Sequence, residues 1–249
     1  MSSKQKTTGT KRLVRTKGIG LSVKLYKMSA SDKKVAEITK MLGAAPYKPS
    51  AKSEGWGFVG VKAIGQTVAA EFLAGFRVAV LSYDKEGDLI PVHYMSVDRG
   101  EVLIKLERQT VEVRGSERIA RKFKSVFEEQ AGIELSPLNL DGGTKKLYDA
   151  ASDVASVLLT GVEKGNLTQA EFRGSGIQQE EEIGLYTRRY KGQITRFRGT
   201  FPYPSGAFLT TTVNAQAGSL MVYKSGDGLL EKDLNWIVEL MEDAALGHK

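Results

Sequence analysis

The sequence predicts an α+β fold in two tandem halves, each an antiparallel sheet packed with one or two helices. Three observations carry this expectation. Short segments alternate apolar and polar residues between Gly, Pro and Asp turns, as half-buried strands do. Two longer segments repeat apolar residues at the helical period. A gapless echo at a spacing of 111 residues lays VEVRGSERIARKFKSVFEE over VYKSGDGLLEKDLNWIVEL.

Along the chain, residues 1–20 read as a flexible basic arm: small, polar and unpatterned. LSVKLYKM alternates Leu21, Val23 and Leu25 with polar neighbours and predicts a strand. SASDKKVAEITKMLG predicts a helix capped by Ser31 or Asp32, with Val35, Ile38, Met41 and Leu42 inward and Gly43 as its stop. AAPYKPSAKSEG is a loop. WGFVGVKAIG predicts a strand, and QTVAAEFLAG a short helix closed by Gly75. FRVAVLSY and LIPVHYMSV predict a hairpin around DKEGD, and EVLIKLE with TVEVR a second one. SERIARKFKSVFEEQAG is the clearest helix, with Ser116 as cap, Ile119, Phe123, Val126 and Phe127 inward, and Gly132 as stop.

LSPLNLDGGT interrupts the pattern and marks a boundary, giving an N-terminal half over 21–140 and a C-terminal half over 141–249. KKLYDAASDVASVLLTGVEKG predicts a helix with Leu147, Ala151, Val154, Val157 and Leu158 on one side. A polar stretch follows. Strands are then predicted at 185–191, 194–201, 207–213 and 219–224, and a last helix over 228–246.

In the echo, Val111 falls on Val222, Gly115 on Gly226, and the cap Ser116 on Asp227; Ile119, Phe123, Val126 and Phe127 fall on Leu230, Leu234, Ile237 and Val238. This is either an internal duplication with a pseudo-twofold axis or the pattern shared by any strand, turn and amphipathic helix. Two sheet-and-helix halves in tandem are similar, in architecture alone, to the TATA-box-binding protein family, whose duplicated sheet grips DNA beneath helices. Minor-groove binders of that kind wedge apolar side chains between base steps, which turns attention to Phe201 and Phe208. No shared motif carries the resemblance, and no residue role follows from it.

The chain has 249 residues, 41% hydrophobic and 26% charged, with no cysteine. Disulfides, thiolate metal sites and cysteine nucleophiles are thereby excluded. A reducing, cytoplasmic setting is expected, with no membrane partner, since no apolar run reaches the ~20 residues a membrane helix needs. The start lacks the apolar core of a secretory signal, although a transit peptide would share its Lys/Arg/Ser/Thr bias.

The net charge of +7 is unevenly placed: residues 1–62 hold fourteen Lys/Arg against three acids, a net of +11, which leaves −4 for the rest. A second cluster, 183–226, has six Lys/Arg and no acid. Charge concentrated in two segments attracts a polyanion better than the same charge scattered.

YTRRYKGQITRFRGTF is the richest stretch. If Gly192-Gln193 is a two-residue turn, Arg189, Lys191, Arg196 and Arg198 share one hairpin face, and the other carries Tyr186, Arg188, Tyr190, Thr195 and Phe197. Arg189 opposite Arg196 is unfavourable unless an anion relieves it, either a phosphate or Glu180, Glu181 and Glu182 nearby. In the arm, Lys11, Arg12, Arg15 and Lys17 would track a nucleic-acid backbone by counterion release. GTFPYPSGAF adds Phe201, Tyr203 and Phe208 as a partner-contacting loop or a turn on the sheet edge.

Catalytic constellations are missing. No phosphate-binding GxxxxGK[ST] loop or GxSxG elbow occurs, and GIG and GSG are too short to be dinucleotide fingerprints. His93 reads as a half-buried structural residue, His248 lies at the end, and neither Asp84 with Asp88 nor Asp141 with Asp149 rises above turn and cap chemistry. No cofactor and no metal is expected. The reading is a non-catalytic protein that binds nucleic acid through backbone electrostatics. The alternative is an interaction module meeting an acidic protein.

Overall fold

The computed structural model describes residues 12–16, 18–50, 53–140 and 142–247. Among them are five α-helices and eleven β-strands, an α+β composition, and every strand pairing with a defined register is antiparallel. No helix among the described residues is long and apolar enough to cross a membrane. The chain divides into two compact units. One comprises residues 22–138 with 217–219, the other 139–216 and 220–249 with the described part of 1–21.

The first unit runs β1 (Gly20–Met28), α1 (Val35–Gly43), β2 (Trp56–Ile64), β3 (Thr67–Tyr83), β4 (Leu89–Lys105), β5 (Thr110–Arg114), α2 (Glu117–Ala131) and β6 (Leu135–Pro137). Its strands lie in the order β2-β3-β4-β5-β1, and β6 also pairs with β1. Helix α2 starts where Ser116 Oγ accepts the amide of Ile119 and ends at Gly132, whose φ of 64° suits a residue without Cβ. Its stripe of Ile119, Phe123, Val126 and Phe127 packs on Phe58, Phe72, Val102, Ile104, Val111 and Val113. Phe72 and Phe123 meet edge to face at 5.6 Å, and Phe58 and Phe72 meet tilted at 5.2 Å.

Strand β5 is buried on both sides. Val111 and Val113 enter the aromatic core, while Thr110, Glu112 and Arg114 face the other way and are buried too. Glu112 holds the Nε of Arg114 and the ammonium of Lys105, the latter at 3.0 Å, and Arg114 reaches Glu101 at 3.1 Å. Burial pushes the Glu112 carboxyl up, but Arg114 and Lys105 outweigh it and hold the group below its ordinary range. The acid is charged and doubly paired, the condition under which a buried ion is tolerated.

Three sequence expectations fail here. QTVAAEFLAG is strand, not helix: Val68, Ala70, Phe72 and Ala74 are all buried at period two, and sheet burial overrides the helix preference of Ala, Glu and Leu. LIPVHYMSV and EVLIKLE are one strand, β4, paired with β3 without interruption from Tyr83↔Leu89 to Thr67↔Lys105. Helix α1 starts after Lys34, whose amide donates to Glu37 at 2.9 Å, while Ser31 only closes a turn on the amide of Lys33.

The second unit runs α3 (Thr144–Ala150), β7 (Asp153–Lys164), β8 (Leu167–Arg173), a single 3₁₀ turn, α4 (Glu181–Arg188), β9 (Gln193–Pro202), β10 (Phe208–Asn214), β11 (Ser219–Tyr223) and α5 (Glu231–Leu246). The strand order is β11-β10-β9-β7-β8. The helix predicted over 145–165 stops at Ala150. From Asp153 onward Val154, Val157, Leu159 and Val162 are buried in a strand rich in β-branched residues. The polar stretch after it hides β8.

The described part of the arm is hydrogen-bonded within the second unit. Glu231 donates its amide to Arg12 O at 3.0 Å, Val14 to Leu229 O at 2.8 Å, and Lys224 to Ile19 O at 3.1 Å. Gly20 lies so close to the Val222 carbonyl that a Cβ would collide with it. Lys11, Lys17 and His248 lie outside the described residues.

Phe123→Ala is expected to lower unfolding stability by about 3–5 kcal/mol in denaturant titration, because it opens a cavity among three rings, Phe58, Phe72 and Phe127. Glu112→Gln is expected to cost several kcal/mol at neutral pH, since Arg114 would lose its closest carboxylate. The Glu112 contribution is present above the unfolded carboxylate pKa and lost as pH falls through the lower folded value. The acid limb of a stability–pH curve should therefore be flatter in the Gln variant than in the wild type.

Candidate nucleic-acid interface

Strand β9 is central in the second unit, with β7 and β10 beside it, and its side chains must alternate. Thr195, Phe197, Gly199 and Phe201 point inward and are buried. All three helices pack on that inner face. Tyr148 of α3 meets Phe197 at 5.5 Å, Trp236 of α5 meets Phe201 at 6.4 Å, and Tyr186 of α4 meets Phe172 of β8 at 5.3 Å. Among the described residues, no helix of this unit packs on the opposite face.

That open face carries Arg196 and Arg198. The registers set them in two rows across the sheet. One row is Arg173, Ser156, Arg198 and Thr212; the next is Glu171, Leu158, Arg196 and Asn214. A third row on the same face is Asp153, Thr200 and Thr210, with the Asp153 carboxylate accepting the Gly176 amide. The Arg198 guanidinium lies 4.9 Å from the centre of the Tyr223 ring. Among the described residues no carboxylate pairs with Arg198. Glu171, by contrast, holds Arg173 at 3.1 Å and Arg196 at 3.7 Å. All three arginines are exposed, so these ion pairs are weak and readily exchanged for another anion.

The cationic hairpin of the sequence reading does not form. Tyr186 and Arg188 belong to α4, because Glu181 and Glu182 at its first turn and Arg188 at its last suit the helix dipole. Arg188 Nε donates to its own helix at Gly184 O, 3.2 Å away. Arg189 ends the helix, its guanidinium 5.7 Å from the Tyr190 ring centre. Lys191 turns the chain at a φ of 55° and pairs with Glu163 at 2.7 Å; that hydrogen bond holds its ammonium pKa above the ordinary value. Five cations adjacent in sequence are thus shared among a helix end, a loop and a strand. Only Arg196 and Arg198 stay together.

The aromatic expectations sort in the same way. Phe201 and Tyr203 are core residues, and Tyr203 OH bonds Thr211; neither is available to a partner or to a base step. Phe208 is 67% exposed, opposite Pro202 at the end of the open face. Tyr186 and Tyr190 gather around Lys164, whose ammonium lies 3.0 Å from Tyr186 OH and 5.2 Å from the Tyr190 ring centre.

In the arm, Arg12 pairs with Glu231 at 3.3 Å, while Arg15 is exposed. His93 is exposed on β4, not half-buried. Asp84 accepts the amides of Glu86 and Asp88, which is turn chemistry. Asp149 pairs with Lys145.

Arg173 was missed by sequence reasoning. Its strand reads as a polar stretch, and only the pairing with β7 brings it beside Arg198. Compared with known proteins, the sequence matches no protein family and no curated protein.

Proposed function

We propose that this protein is a non-catalytic nucleic-acid-binding protein that contacts the phosphate backbone through the open sheet face of its second unit. Arg198, Arg196 and Arg173 supply the cations, and Ser156, Thr200, Thr210 and Thr212 supply hydroxyl donors between them. The observation that carries the reading is Arg198: a guanidinium held over a tyrosine ring on a sheet face that, among the described residues, has no helix packed on it and no carboxylate paired with this arginine. Ring-stacked arginine with threonine and asparagine neighbours suits phosphate and sugar oxygens better than an apolar partner. Glu171 tempers the affinity by competing with phosphate for two of the three arginines. Contacts of this kind position a nucleic acid without reading its bases, so sequence specificity is not part of the proposal. The absence of cysteine fits action in a reducing compartment such as the cytoplasm.

The proposal includes duplication of one ancestral unit. Each unit contains three sequential neighbouring strands followed by its longest helix, β3-β4-β5-α2 and β9-β10-β11-α5, although β6 follows α2 in the first unit. The stripe of α2 and that of α5 are buried at the echoed positions Phe123 and Leu234, Val126 and Ile237, and Phe127 and Val238. A second reading, an interaction module for an acidic protein, is favoured by Phe208, exposed at the edge of the same cationic face.

A gel shift across salt separates the outcomes. Wild type is expected to shift single- or double-stranded DNA or RNA at about 50 mM salt and to lose binding steeply as salt rises. Arg196→Ala with Arg198→Ala should weaken binding and lower the log–log salt slope by roughly 1 per lost phosphate contact. Glu171→Gln should strengthen binding, because it frees two arginines. Wild type that shifts no nucleic acid at low salt, or Glu171→Gln that binds no better, would count against the open face as the site.

A further inference from the structure

Strands β3 and β4 are each 17 residues long, far more than their neighbours support. β2 accompanies β3 only as far as Ala74, and β5 accompanies β4 only from Glu101. Between these limits, residues 76–98 form a two-stranded ribbon. A ribbon of that kind is marginally stable in water by itself. Yet both its faces are apolar. Val80, Leu81, Tyr83, Leu89, Ile90 and Tyr94 are between 41% and 72% exposed. At about 100 Å² each they present roughly 600 Å² per chain over both strands and both faces, of which a partner at one edge would cover the part nearest that edge.

The two edges of the ribbon differ. Gly75 donates its amide to Gly55 O and Arg77 to the Glu54 carboxylate, away from β4, while Asp84 donates toward Asp88 at the turn. Amides alternate sides along a strand, so those of Ala79, Leu81 and Tyr83 also point to the outer edge of β3. Among the described residues no strand pairs with that edge beyond Ala74. On β4 the corresponding outward position, opposite Leu81, is Pro91, which has no N–H. A proline on an edge strand blocks further pairing there. The β3 edge has no such guard, and its outward positions Ala79, Leu81 and Tyr83 are all uncharged.

We propose that a second copy of this chain pairs across the free edge of β3, antiparallel and about a twofold axis at Leu81, giving a four-stranded sheet from two ribbons. The register follows from the donors. With the axis at Leu81, Ala79 faces Tyr83 of the other copy and Leu81 faces its symmetry mate, so all three free amides and their carbonyls are used. The Glu54 carboxylate on the Arg77 amide ends the pairing on one side, and the Asp84 turn ends it on the other. A short, uncharged, self-complementary edge suits an identical partner. A different protein would need some charge pattern to select it, and the edge offers none.

The absence of cysteine makes a clean test in the full chain. Directly opposed residues of a hydrogen-bonded antiparallel pair have Cα atoms about 5.5 Å apart, within disulfide reach. Leu81→Cys is expected to form a disulfide-linked dimer under mild oxidation, and His93→Cys, on the proline-bearing edge, to remain a single chain. In sedimentation equilibrium at tens of micromolar, wild type should have the mass of two chains. Leu81→Lys, which sets a charge against its own symmetry mate, and Leu81→Pro, which removes the central donor, should each have the mass of one. Circular dichroism matching wild type would show that the variants are folded. Wild type sedimenting as one chain overturns the proposal. So does a wild-type dimer whose Leu81→Cys form does not cross-link, whatever the folding of the other two variants.

Discussion

Among the described residues, helices cover one face of the second unit's sheet and leave the other open, and the rest of that unit follows from this. A strand with one covered face must alternate, so each aromatic residue sent inward along β9 sends an arginine or threonine outward. Phe197 and Phe201 are fixed by Tyr148 and Trp236 beneath them, and Arg196 and Arg198 cannot then point anywhere but to the open side. A one-residue slip would bury two guanidinium groups among aromatic rings, at a cost the core could not offset. The cationic face is thus a consequence of packing.

The first unit shows the same constraint at its two limits. At β5, both faces are covered, and the side without aromatic residues is filled by the Glu112, Arg114, Lys105 and Glu101 network. Mutual pairing keeps those charges compatible with burial. At the far end of β3 and β4 neither face is covered, and apolar side chains stand in water on both. One sheet therefore passes from a buried end to an exposed end along two strands. The exposed end is where the need for a further strand arises.

Within the second unit, surface charge is treated in two ways. Around Lys191 and Arg188 each cation has a local partner, a glutamate or a backbone carbonyl. On the open face one glutamate serves two arginines, and the third, among the described residues, pairs with no carboxylate and lies over a tyrosine ring. Under-neutralised positive charge on a surface with few internal ties is free to exchange partners. Sequence-adjacent charge says little about such a surface, because the chain reverses, coils and turns between one cation and the next.

The sequence by itself determined the α+β composition, helix α2 from its Ser116 cap to its Gly132 stop, and the strands β9, β10 and β11, since local periodicity and capping are read within a few residues. It also determined that Arg196 and Arg198 share a face, because two residues apart on one strand is enough. Only the tertiary structure decided that QTVAAEFLAG is strand, that 185–191 begins in a helix, and that Arg173 stands in a row with Arg198. Each of these turns on which strand lies alongside, and pairing partners far apart in the chain leave no mark in local periodicity. The long ribbon of β3 and β4 is the clearest instance: each half of it reads as a short hairpin or helix, and only continuous register from Thr67 to Lys105 makes it one element.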